Sequence, residues 1–137
     1  MKTSLRTLIL RANAIYLIVA SILGTGMDIA GIYFGVGPEA RVIADAPFAG
    51  LGFLEAHGLA FILGWVIWRL PVVRAAHMVA FAVVALLGSC NLLFWEMFVA
   101  TDSLAVGYLA TSGHWLFAAL QLAAASSAEP APQLVEA

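Results

Sequence analysis

The strongest constraint in this sequence is the recurrence of long apolar stretches. Residues 8–27, 48–70, 75–100 and 104–125 are each long and apolar enough to cross a bilayer as a helix, a crossing that takes about 20 mostly apolar residues. Helix is the geometry to expect, because inside hydrocarbon every backbone N–H and C=O must find its partner within the protein. The pattern predicts an all-α integral membrane four-helix bundle over residues 1–125, with residues 126–137 as a disordered cytoplasmic tail. Composition points the same way: 64% of the chain is hydrophobic and 10% charged, whereas soluble domains carry roughly 25% charged residues.

The first stretch follows Lys2, Arg6 and Arg11 and so resembles a secretory signal. It reads better as a bundle helix, since it carries Asn13, Tyr16, Ser21 and Thr25 and no Ala-x-Ala-type site follows Leu23. Basic residues gather in cytoplasmic loops. Lys2, Arg6 and Arg11 flank the first span and Arg69 and Arg74 bracket Pro71, with only Arg41 opposite. This predicts a multi-pass cell-membrane protein with both termini cytoplasmic. The long outer connection, residues 28–47, holds Gly35, Gly37, Pro38 and Pro47 among Ile32, Tyr33, Phe34 and Val42, and is expected to lie on the bilayer surface.

Several function classes fall away. Nucleic-acid binding needs clustered cations, and a net charge of −2 with one lysine leaves no basic stripe. The single cysteine, Cys90, rules out a disulfide within the chain, a Cys-rich zinc site and a C-x-x-C pair. No metal site is expected. Membrane lipids and a lipophilic small molecule are the expected partners, together with self-assembly into a homo-oligomer if the chain forms a pore.

Ionisable groups within a span cost about 2.5–3.5 kcal/mol each at the bilayer centre and so tend to face the bundle interior and serve a purpose. The expected topology brings Asp28, Glu55, His57, Asn91, Glu96 and His114 toward one half of the bundle, from four helices. The helical period places Ser21, Gly24, Thr25 and Asp28 on one face, and His114 with Gln121 on another. Glu55 and His57, two residues apart, point about 200° from one another around their helix. Glu55, the costlier to leave in lipid, is the expected general acid, His114 the base or proton shuttle, and Asp28 and Asn91 the groups that orient them. Trp95 and Trp115 neighbour Glu96 and His114 and are expected, with His57 and Glu96, to form a ligand pocket. His77, beside Arg74, reads as solvated or at the lipid headgroups.

This pattern suits an isomerase, cyclase or hydrolase acting on a lipophilic substrate, with no cofactor. Haem b held between His57 and His114 is the alternative, because membrane bundles hold cofactors between facing helices. A further alternative is a non-catalytic accessory, ligand-binding or transport-related protein.

The run from Arg11 to Asp28, the Gly- and Pro-rich connection, and Phe53-Leu-Glu-Ala-His-Gly58 followed by two more spans resemble the DoxX-like small membrane proteins of bacteria. That resemblance implies four helices and a carboxylate near the start of the second span, here Glu55. The layout is also similar, more loosely, to the sterol-isomerase-like fold, which implies a membrane cavity for sterol or cationic ligands.

Overall fold

The computed structural model describes residues 1–128, and among these the chain is all-helical. The elements are α1 (Thr3–Phe34), α2 (Ala40–Asp45), α3 (Pro47–Arg69), α4 (Arg74–Leu93), α5 (Trp95–Ala100) and α6 (Leu104–Ser126). Of these, α1, α3 and α4 are long and apolar enough to cross a membrane. Helix α6 matches α3 in length, but Thr111, Ser112, His114 and Gln121 make it less apolar. Ser126 closes α6, and residues 129–137, most of the expected tail, lie outside the described residues.

Two boundaries differ from the sequence expectation. Helix α1 continues to Phe34, where Gly35 at φ 62° ends it and Val36 N–H reaches back to the Ala30 carbonyl. A left-handed residue is the usual way to close a helix and costs least at glycine. Asp28 therefore sits inside a helix of 32 residues. The stretch 75–100 is broken at Phe94, so that Trp95, Glu96 and Phe98 belong to the short α5.

Helix α1 packs along α3, and α4 along α6, with α1 and α6 joining the two pairs. The first pair is antiparallel: Arg11 meets Leu70 at one end and Asp28 meets His57 at the other. Gly64 lets the backbones close up, since a β-carbon there would stand 2.9 Å from Ile18 and 3.1 Å from the Ala14 carbonyl oxygen. Small residues at such contacts drive helix association where water supplies no hydrophobic force. Leu10, Ala14 and Leu17 of α1 meet Ile67 of α3, Ala76, Ala80 and Val84 of α4, and Ala118 of α6 in the core.

Apart from Arg41 on α2, the charges of the described residues are segregated by this topology. Lys2, Arg6, Arg11, Arg69 and Arg74 lie at one end of the helices, here the arginine end. Every carboxylate among the described residues lies toward the other, the carboxylate end. At the arginine end, the Arg11 guanidinium donates to the carbonyls of Ile67, Trp68 and Leu70 and lies 5.4 Å from the Trp68 ring centroid. It adds a donor to the last carbonyls of α3 and the turn after it, of which Ile67 also accepts from Leu70 N–H. Arg6 does the same for Val72, at 3.3 Å.

Candidate functional site

At the carboxylate end, α1 and α3 bring together a histidine and a carboxylate. His57 Nδ1 lies 2.7 Å from Asp28 Oδ2. Asp28 is fully buried, while the His57 side chain is 31% exposed. Asp28 accepts a hydrogen bond from Nδ1–H, which fixes the tautomer and makes Nε2, packed against Gly24 of α1, the acceptor nitrogen. The ring fits because residue 24 is glycine: a β-carbon at that position would overlap the imidazole.

A third group closes the site from the connection after α1. Glu39, which precedes α2, comes down onto Asp28, and Ile43 of α2 packs against Gly31 and Gly50. Asp28 Oδ1 and Glu39 Oε2 are both enclosed with no donor among the described residues. A carboxyl proton on Glu39, shared with Asp28, is the donor that fits. Burial first, then the hydrogen bond to Asp28 and its charge, push Glu39 up from 4.5 to about 8. Two carboxyls this close cannot both ionise cheaply. A groove of about 300 Å³ runs beside the site on the α1–α3 seam, lined by Ser21, Ile22, Thr25, Gly58 and Phe61.

The other residues singled out from sequence are dispersed. The two-residue spacing does turn Glu55 and His57 to different sides, and it is His57 that faces α1, with Glu55 exposed. His114 is buried, its ring edge-on to Tyr16 with centroids 5.4 Å apart, and its Nδ1 has no partner. Asn91 is half-buried near the end of α4, and Glu96 is exposed on α5. Trp95 packs on Phe98 and Tyr108, and Trp115 lies against Gly88. The structure therefore joins Asp28 to His57 but leaves Glu55, Asn91, Glu96 and the two tryptophans apart from that pair. Among the described residues no group of three or more His, Cys, Asp or Glu is placed to hold a metal ion.

Sequence reasoning missed Glu39, which sits in an irregular connection where periodicity carries no information. It also placed His77 in solvent or at the lipid headgroups, whereas His77 is completely buried, its Nδ1 donating to Gln121 Oε1 at 2.6 Å. Gln121 Nε2 in turn donates to Asn13 Oδ1 at 2.9 Å, so three helices share one polar network. The signal available was the stripe His114–Gln121 on α6, which needed a partner on α4.

Comparison of the chain with family models, with curated proteins and with solved structures returns no match.

Proposed function

We propose that the chain is a multi-pass four-helix membrane bundle, its arginine end cytoplasmic, whose His57–Asp28–Glu39 group performs acid–base chemistry on a lipophilic molecule. The observation that carries this reading is the 2.7 Å contact between His57 and the fully buried Asp28. An enclosed carboxylate orients the imidazole, and Nε2 removes a proton from the substrate. Glu39, protonated below about pH 8, supplies the matching acid. The α1–α3 groove offers a lateral way in from the bilayer, with Phe61 and Ile22 against the hydrocarbon of the ligand. A base and an acid on one site favour an isomerisation, in which a proton leaves one atom and another is returned elsewhere.

The test is isotope exchange. Detergent-purified protein in D2O is incubated with lipophilic enones and quinones, and deuterium incorporation is read by mass spectrometry. The expected result is exchange that falls at least 100-fold in His57→Gln and Asp28→Asn, in line with the loss of a positioned general base. Wild-type protein that exchanges no faster than these variants overturns the reading.

A further inference from the structure

Buried polar atoms are nearly always paired, so a set of orphans in one chain calls for a common cause. Among the described residues the Glu39 proton serves the enclosed Asp28 Oδ1 and Glu39 Oε2 at the carboxylate end, whereas Arg6 Nε at the arginine end is enclosed without a partner. Between the two ends lie Thr111 Oγ1 and His114 Nδ1 on α6, then Asn13 Nδ2 and His77 Nε2. These atoms are not scattered. Arg6, Asn13 and Asp28 lie along α1, and α6, antiparallel to it, places Thr111 on the carboxylate side of His114 and Gln121 beside Asn13. From Arg6 to Asp28 the helix rises about 33 Å, at 1.5 Å per residue. That matches the roughly 30 Å thickness of a bilayer's hydrocarbon core.

We infer that a file of internal waters joins these side chains into a proton path through the interior of the bundle, from Glu39 and Asp28 to His77 and the arginine end. A buried water typically makes about three hydrogen bonds to groups otherwise left unsatisfied, and the seam offers both kinds. Asn13 Nδ2 and Arg6 Nε are donors, while Asp28 Oδ1 is an acceptor. His77 donates from Nδ1 to Gln121 and so presents Nε2 as an acceptor. Thr111 can serve as either. A proton enters on the carboxyl pair, moves along the waters, is taken up on an imidazole nitrogen of His114 and then on Nε2 of His77, and passes to water at the far end. Only O–H and N–H bonds form and break, and the charge carried is balanced by counter-ion flow. Chains of Asp, Glu and His are the usual material of such paths. Ser21, buried on α1 between Asp28 and Tyr16, gives its proton to the Leu17 carbonyl and keeps oxygen lone pairs for the same waters.

The experiment uses the full chain in liposomes with a pH-sensitive dye inside, an outside acid jump, and valinomycin with potassium to carry the compensating charge. Wild type is expected to admit protons at least tenfold faster than protein-free vesicles. His77→Gln and His114→Gln are each expected to remove most of that increment, while Glu55→Gln, on an exposed face, keeps it. Wild-type vesicles no leakier than empty ones overturn the inference without recourse to any variant. So does flux that survives in both histidine variants. Neither histidine touches the His57–Asp28 pair, so the isotope-exchange test and the flux test can fail separately.

Discussion

Gly24 and His57 are fitted to one another: the imidazole occupies the space a β-carbon on residue 24 would need. In Gly24→Ala the ring must leave Asp28, or α1 and α3 must part. Either outcome breaks the 2.7 Å hydrogen bond. Overpacking of this kind costs about 1–3 kcal/mol. The expected result is a lower unfolding midpoint in detergent and loss of the Nδ1-protonated signature of His57 in nitrogen NMR.

Glu39 gives a pH dependence whose sign is fixed. Its carboxyl titrates at 4.5 when free and at about 8 when docked on Asp28. The docked state therefore favours the proton. Docking is strongest below about pH 4.5 and weakens as pH rises toward 8, beyond which no further change is expected. Amide exchange over residues 36–46 should quicken across that window relative to α1, after correction for intrinsic rates. Glu39→Gln, which keeps a donor and cannot ionise, should flatten the profile.

Arg11 is expected to matter through carbonyls and not through ion pairing. It serves Ile67, Trp68 and Leu70, and no carboxylate among the described residues reaches it. Hydrogen bonds from charged groups contribute about 1.5–3 kcal/mol. Arg11→Ala should cost that order of stability in a denaturing-detergent titration. Arg11→Lys should recover only part, because an ammonium lacks the planar fork that spans several carbonyls.

Gln121 links His77 to Asn13. Gln121→Leu strands both partners and should destabilise by about 1–3 kcal/mol. The triple variant Gln121→Leu, His77→Leu, Asn13→Leu should regain stability relative to the single one, since no enclosed polar group is then left alone. Thermal unfolding of the three proteins in one detergent decides it. Stability that falls further in the triple variant would show that the network is not the cause.

The long helices were legible from hydropathy, since extended apolar runs of this length favour helix, whereas α2 and the break before α5 were not. The spacing rule also separated Glu55 from His57 correctly, but sequence could not say which of the two would face a neighbour. That depended on Gly24, a residue on another helix whose only contribution is the absence of a side chain. Asp28 could be recognised from its stripe with Ser21 and Gly24. Glu39 could not, since it reaches the site through the irregular connection that begins at Gly35, where no period exists to read. The expected meeting of Asn91, Glu96, Trp95 and Trp115 with the site assumed one straight helix over residues 75–100. The break at Phe94 ends α4 and assigns Trp95 and Glu96 to the separate short helix α5.

The separation of charge along the described helices, Arg41 excepted, gives them an electric dipole. In an energised bilayer a unit charge carried across the full field changes energy by about 2.3 kcal/mol per 100 mV. With the proposed orientation Lys2, Arg6, Arg11, Arg69 and Arg74 would be drawn to the negative side and the carboxylates of the opposite end toward the positive one, with Arg41 alone opposed. In the proposed orientation, a cell with a negative interior would thus hold the protein after insertion in the direction that the basic residues favour during it.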